Sequence, residues 1–157
     1  MKKTISILIL MLMVSMAANA QEPFAKQFKG REGFACVTIG KAAMKMMSSR
    51  GKLGREGFGS KLNIGNFADK IDRLEIVAAS TPEASYELLA ACHKLIESDD
   101  FESVIDVDES GQQASIYAKT GGDQNIFLLL AQDKETSVII IYGTMTLEDL
   151  QGTIGGK

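Results

Sequence analysis

Side chains that build catalytic or metal centres are scarce in this sequence. The chain has one histidine, His93, and two cysteines in 157 residues. Metal and nucleophilic centres need several partners close together, so His93 is expected to be a surface or boundary residue. The GxSxG, HExxH, GxGxxG, CxxC and Walker-type motifs are also missing. These absences favour a protein that is not an enzyme and holds no cofactor or metal.

A calcium-binding loop is missing as well, although acidic residues cluster between Asp99 and Glu109. Carboxylates at this density could hold a hard cation, but the residue order of an EF-hand does not occur. The cluster therefore favours a solvated acidic edge. A hydrolase that uses paired carboxylates of the 99–109 region is kept as an alternative hypothesis.

Long hydrophobic runs are absent apart from one near the start of the chain. Residues 5–14 are apolar except for Ser6, follow Lys2-Lys3 and precede the small-residue sequence Ala18-Asn19-Ala20. This layout predicts a signal peptide over residues 1–20 that is cleaved before Gln21. A membrane span needs about 20 apolar residues, so this run is too short to be an anchor.

The signal peptide predicts an exported protein of the periplasm or outer envelope. No cysteine stands at the cleavage point, so a lipid anchor is not expected, and no second run is long enough to span a membrane. Residues 21–157 suffice for a single domain with its own core. The formal net charge of −3 becomes −5 when two lysines leave with the signal peptide. A mildly acidic chain disfavours nucleic acid as a partner.

The cysteines, Cys36 and Cys92, would both be in an oxidising compartment. An even number there permits a disulfide. Cys36 lies in a predicted strand and Cys92 on the apolar side of a predicted helix, and a helix packed on a sheet could bring the two together. Two buried free thiols are the alternative.

The order of patterns predicts an α+β domain. Residues 82–98 form the clearest helix, because Thr81 can cap it and Pro82 suits its first turn. Helices 82–98 and 41–49 are expected on one face of a mostly antiparallel sheet, which gives a two-layer fold. The other predicted elements are a helix at 22–29, strands at 34–39 and 74–79 with a weak helix before the second, four successive strands at 104–110, 114–120, 126–131 and 137–143, and a short helix capped by Thr146.

Glycine is concentrated in a basic segment at residues 50–61, RGKLGREGFGSK, which predicts a flexible surface loop. It contains the second copy of a pentapeptide, GREGF, that first occurs at residues 30–34. The first copy leads into a strand and the second does not, so we interpret the match as an accident or a local duplication. A pair of anion-binding loops built on Arg31 and Arg55 is the alternative.

Two predicted strands, IFLLLA (126–131) and SVIIIYG (137–143), are apolar on both faces. A half-covered antiparallel sheet would show apolar residues on one face only. Either the chain covers the second face itself, or a partner or a second copy covers it. In the latter case Phe127, Leu129, Ile139 and Ile141 form an interaction surface.

Methionine and phenylalanine side chains offer a different hypothesis. A small-molecule or lipid-binding protein could line its pocket with Met44, Met46, Met47 and Phe58. Packing in the core is the more common use of methionine.

Three stretches resemble the DUF4252 family of exported proteins from Bacteroidetes and relatives. They are GREGFACVTIGKAAMKMM (30–47), LEIVAAS (74–80) and QNIFLLLAQDKETSVIIIYGTMTLEDL (124–150). The resemblance implies a family of unknown function with no catalytic residues to carry over. It also implies a link to envelope signalling, since similar proteins are thought to lie near extracytoplasmic sigma-factor genes. Some relatives are lipoproteins, and this chain departs from them by lacking the lipid-accepting cysteine.

The function expected from all these features is that of a non-catalytic exported protein. Its expected partner is an envelope protein or a second copy of itself.

Overall fold

The computed structural model of the chain describes residues 23–49 and 67–154. Of residues 47–49 and 152–154 it describes only the backbone. The predicted signal peptide (1–20) and the Gly-rich loop (50–61) lie outside the described residues, as do Arg55 and Phe58.

Six strands form one sheet in the order β1-β2-β6-β5-β4-β3, and every neighbouring pair is antiparallel. The four C-terminal strands pair in succession, as expected, and β6 then lies beside β2. This order puts β5 and β6, the strands that are apolar on both faces, at the centre. The strands are β1 Phe34–Gly40, β2 Ile71–Ala79, β3 Glu102–Glu109, β4 Gln112–Lys119, β5 Asn125–Gln132 and β6 Thr136–Gly143.

Helical segments connect and cover the strands. The α-helices of the described ranges are α1 Lys41–Ser49, α2 Pro82–Ser98 and α3 Leu147–Ile154. An N-terminal 3₁₀ helix spans Phe24–Gln27, and a central 3₁₀ helix spans Ala68–Lys70. Within the described part of the chain, no helix combines the length and apolar character that crossing a membrane requires.

One face of the sheet, called the first face, is covered by α2 and the N-terminal 3₁₀ helix. Because α2 connects β2 to the distant edge strand β3, it has to cross this face. Its 17 residues extend about 25 Å, which is enough to cross strands spaced about 4.8 Å apart. The buried residues here include Phe24, Phe28, Val77, Leu88, Cys92, Leu128, Val138 and Ile140.

The opposite face, called the second face, is covered by α1, the central 3₁₀ helix and α3. Met44 of α1 and Leu150 of α3 are buried there with Phe127 and Ile141 of the central strands. The α+β class and the antiparallel sheet are confirmed. Helices 41–49 and 82–98, however, lie on opposite faces rather than on one. The reason is that β5 and β6 carry large apolar side chains on both faces, and removing these from water requires cover on each side.

The helix caps expected from the sequence are confirmed. Thr81 Oγ1 accepts a hydrogen bond from the N–H of Ala84 at 3.2 Å, and Pro82 is the first residue of α2. At α3, the N–H of Thr146 donates to Asp149 Oδ2 at 2.8 Å. Asp149 also pairs with Lys70 Nζ at 2.9 Å, which fastens α3 to the central 3₁₀ helix.

The strand β2 begins at Ile71, earlier than the predicted start at residue 74, and the weak helix before it shortens to Ala68–Lys70. Gly143 of β6 makes this extension possible. It lies opposite Ile71, and a Cβ atom at position 143 would overlap the carbonyl oxygen of Lys70. That oxygen accepts a hydrogen bond from the N–H of Thr144 at 2.9 Å. The two backbones therefore meet where only glycine fits.

The close approach at Gly143 gives a prediction for stability. Gly143→Ala should lower the free energy of unfolding by at least about 2 kcal/mol, because a backbone neighbour has to move. Gly40→Ala is the matched control, since a Cβ at the end of β1 meets no atom within 4 Å. Urea denaturation of both variants measures the difference. Equal stabilities would contradict the tight contact.

Candidate functional site

Three polar side chains of β2 and β6 meet on the first face, beneath the N-terminal 3₁₀ helix. Glu75 is 0% exposed, although it is charged and lies in the middle of a strand. Its Oε1 accepts a hydrogen bond from the backbone N–H of Ala25 at 3.0 Å. Arg73 of β2, two residues before Glu75, lies opposite Tyr142 of β6. We call Arg73, Glu75 and Tyr142 the buried polar cluster.

An ion pair and a cation–π contact join the members of this cluster. Arg73 Nη2 lies 3.6 Å from Glu75 Oε2, which is an ion pair but is too long for a hydrogen bond. The guanidinium carbon of Arg73 is 4.0 Å from the ring centre of Tyr142, a cation–π contact. Arg73 Nε and Glu75 Oε2 are buried and have no hydrogen-bond partner within the described residues.

The tyrosine in the cluster resists ionisation. Burial raises the pKa of Tyr142 to about 12, and the negative charge of Glu75 acts in the same direction. The Arg73 guanidinium opposes this shift but does not outweigh burial. At neutral pH Tyr142 is therefore uncharged, and its ring contacts the guanidinium group of Arg73.

The cluster anchors the N-terminal 3₁₀ helix to the sheet through a buried carboxylate. Sequence reasoning missed it, because it gives no role to Arg73, which precedes the predicted strand at 74–79, or to Glu75, which lies within that strand. A signal is present: Glu75 stands between Leu74 and Ile76 in the segment 74–79, which is otherwise apolar. A charged residue in that position needs a buried partner.

The two cysteines lie on the first face, and both are free thiols. Cys36 is half-buried opposite Val77, and Cys92 is buried in α2. Burial raises the pKa of both thiols, that of Cys92 to about 12. Lys29 works against the shift at Cys36. Neither thiol is therefore an activated nucleophile at neutral pH.

The residues expected to form an interaction surface divide into two pairs. Phe127 and Ile141 are fully buried on the second face by the chain itself. Leu129 and Ile139 lie one pleat further along β5 and β6 and are only partly buried. The chain itself thus covers the first pair fully and the second pair only in part.

The second face also carries a row of apolar side chains, one from each strand, of which Ile76 and Ile116 are buried. The cross-strand register places Val37 of β1 beside Ile76, and the row continues to β3. Val37 is 47% exposed at the β1 end. We call this row the apolar row; its members are Val37, Ile76, Ile139, Leu129, Ile116 and Ile105.

The two edges of the sheet differ in charge and regularity. Edge strand β3 carries Asp106 and Asp108, and its register shifts between Ser103 and Ile105. Charges and bulges of this kind keep other strands from pairing with an edge. Edge strand β1, FACVTIG, has no charged residue and no proline, and its register with β2 is continuous. Within the described residues, β1 is paired on one side only.

The first GREGF copy forms the entrance to β1. Gly30 and Gly33 have φ of 76° and 84°, in the left-handed region that glycine adopts without strain. Arg31 forms an ion pair with Glu87 of α2, and its guanidinium lies 5.1 Å from the ring centre of Phe34. The charge of Arg31 is therefore used inside the fold.

Two of the acidic residues of 99–109 accept hydrogen bonds from polar side chains of β4. Asp106 accepts a hydrogen bond from the Ser115 hydroxyl at 2.6 Å, and Asp108 accepts one from the Gln113 amide at 3.2 Å. Among the residues that the structure describes, no group of three or more potential metal ligands comes together. His93 is exposed on α2.

Met44 and Met46 of α1 do not share a surface. Met44 is buried in the core of the second face, whereas Met46 is 58% exposed. The side chains of Met47 and Phe58 lie outside the described residues. The pocket expected from these four residues is therefore not assembled by the two that can be placed.

Comparison with known proteins identifies a family. The model of the family described as "Domain of unknown function (DUF4252)" matches residues 28–153. No curated protein and no solved structure matches the chain.

The buried polar cluster gives a stability prediction. Glu75→Ala should lower the free energy of unfolding by about 3 kcal/mol, because it removes the counter-ion of Arg73 and the acceptor for Ala25. Combining Arg73→Met with Glu75→Leu should recover most of this loss, since apolar replacement of both partners avoids an unpaired charge. Urea denaturation measures both, with Glu102→Ala on the exposed surface of β3 as the control. A loss no larger than the control's would refute the anchoring role.

Tyr142 gives a prediction for alkaline pH. The unfolded chain releases this proton near pH 10, whereas the folded chain holds it to about pH 12. Between these values the unfolded state binds fewer protons, so stability should fall as pH rises from 10 to 12. Tyr142→Phe should flatten that part of the curve, and Tyr86→Phe, at an exposed site, should not. Denaturation midpoints measured from pH 10 to 12 would show this difference between the two variants.

Proposed function

The chain belongs to the DUF4252 family, and we propose that it is an exported, non-catalytic protein of the cell envelope that acts by binding another polypeptide through the β1 edge. In the periplasm or outer envelope, such binding would serve envelope signalling of the kind that the family resemblance implies. The observation that carries the proposal is the difference between the two edges of the sheet.

An unpaired edge strand is a template for another strand, because its outer N–H and C=O groups lack partners. Charge and irregularity guard β3, and neither guards β1. Ala35, Val37, Thr38 and Gly40 are exposed along that strand. Main-chain hydrogen bonds from β1 would supply affinity, and the side chains beside them would supply selectivity.

The apolar row extends the proposed binding surface onto the second face. It begins at Val37 on the β1 edge, passes through the buried Ile76, and reaches the partly buried Ile139 and Leu129. A partner strand at β1 would shield the exposed end of this row from water. Of the four residues expected to form the surface, this arrangement retains Leu129 and Ile139. The centre of the surface moves to Val37.

The proposal of a non-catalytic role draws on the state of the polar groups. Burial keeps the thiols of Cys36 and Cys92 protonated by raising the pKa of each. The carboxylate of Glu75 is used to hold the backbone of Ala25. These groups are committed to packing and to the docking of the N-terminal 3₁₀ helix.

Site-specific photo-crosslinking in the source cell tests the proposed function. A photoreactive amino acid at position 37 should give a covalent adduct with another polypeptide chain. The same amino acid at position 107 is the matched control, because Val107 is 45% exposed on the same face but belongs to the guarded edge.

Adducts from position 37 with none from position 107 would support binding at the β1 edge. If a folded, exported chain gave no adduct at position 37, the proposed function would be overturned.

A further inference from the structure

We infer that the polypeptide bound by the β1 edge is a second copy of this chain, paired with it antiparallel about a two-fold axis at Val37. The inference rests on the proposed function and names its partner. It follows from the direction of the backbone groups and the symmetry of the strand.

The direction of the backbone groups follows from one hydrogen bond. The N–H of Ser80 donates to the carbonyl oxygen of Gly33 at 2.9 Å, so that carbonyl points towards β2. In an antiparallel pair, alternate residues direct both backbone groups to the same neighbour. Val37 therefore bonds towards β2, while Cys36 and Thr38 direct their N–H and C=O groups away from the sheet.

A two-fold axis at Val37 matches these outward groups to each other. It places Cys36 of one copy opposite Thr38 of the other, and the same pair forms again on the other side of the axis. Because Val37 is the middle residue of β1 (Phe34–Gly40), this register also uses the full length of both strands. An axis between two residues would set outward groups against inward ones and break the ladder.

The side chains fit the same register. On the second face Val37 meets Val37 of the second copy, and Ala35 meets Ile39. On the first face Cys36 lies beside Thr38, so pairing needs no disulfide and should survive a reductant. No two like charges oppose each other along the strand, since β1 has none.

Charges at the ends of the strand do not drive the pairing. In this register Gly33 of one copy faces Lys41 of the other, whose ammonium group already pairs with Asp72 of its own chain at 3.1 Å. The charge of that lysine is therefore used inside the fold. A foreign peptide could use the same backbone groups, but the second copy provides this match of length and phase from the chain's own sequence.

Light scattering of residues 21–157, with reductant present and across micromolar to millimolar concentrations, tests the pairing. We expect twice the mass of one chain. Val37→Lys should raise the dissociation constant of the dimer at least about tenfold, because it brings two ammonium groups together at the axis. Val107→Lys, the same change at a similarly exposed site on β3, should leave the dissociation constant unchanged.

A second pair of variants tests the backbone rather than the side chains. Thr38→Pro removes an N–H that points away from β2, so β1 can keep its bonds to the sheet. It should weaken the dimer about tenfold or more, because the symmetric pair loses a hydrogen bond in each half. Thr38→Ala should not weaken it, and circular dichroism verifies that each variant is folded.

Outcomes for this inference and for the proposed function can be separated. A chain that stays monomeric at millimolar concentration, or a dimer that Val107→Lys disrupts and Val37→Lys does not, would overturn self-pairing. Adducts at position 37 that contain only other proteins would also overturn it, while leaving the proposed function in place. Adducts with the mass of two identical chains would support both.

Discussion

The structure depends on the burial of two strands that are apolar on both faces. β5 and β6 form the centre of the sheet, and their side chains alternate between two cores rather than between a core and water. Each face must then be covered by a separate part of the chain. The connection from β2 to β3 supplies α2 for the first face. The segment after β1 and the segment after β6 supply α1 and α3 for the second. The order of the strands follows from the same need. A strand that carries charges, such as β3, or a shorter one, such as β1, can lie at an edge of the sheet, and β5 and β6 cannot.

The buried polar cluster shows how a region with little apolar material is joined to this core. The N-terminal 3₁₀ helix is only four residues long, and it brings Phe24 and Ala25 to the first face. A helix this short leaves backbone N–H groups without partners of its own. Glu75 supplies an acceptor for one of them, and Arg73 offsets the charge of that carboxylate. Such an arrangement costs desolvation, so its value is specific placement of the segment rather than net stability.

The secondary-structure elements could be predicted from the sequence far better than their arrangement within the fold. The start of α2 is marked by Thr81 and Pro82, and the start of α3 by Thr146 and Asp149; these are local signals, and they identified both helices. The placement of α1 opposite α2 could not be read, because it depends on β2 lying between β1 and β6, which no local pattern records. The role of Glu75 was hidden for the same reason: its partner Ala25 is distant in sequence and adjacent only in the fold. Phe127 and Leu129 look alike as strand residues, yet the chain covers the first fully and the second only in part, which depends on where the covering helices lie.

The difference between the edges also limits how far an assembly of these chains can grow. A sheet with two open edges would add strands without end and form fibres. Among the strands that the structure describes, β1 is open, and β3 is closed by Asp106, Asp108 and the register shift after Ser103. Pairing of two β1 strands about a two-fold axis consumes both open edges and leaves a β3 strand at each end of the joined sheet. Such an interface is isologous and closes at two copies. An uncharged edge strand is hazardous in an isolated domain, but opposite a guarded edge it favours a dimer over an aggregate.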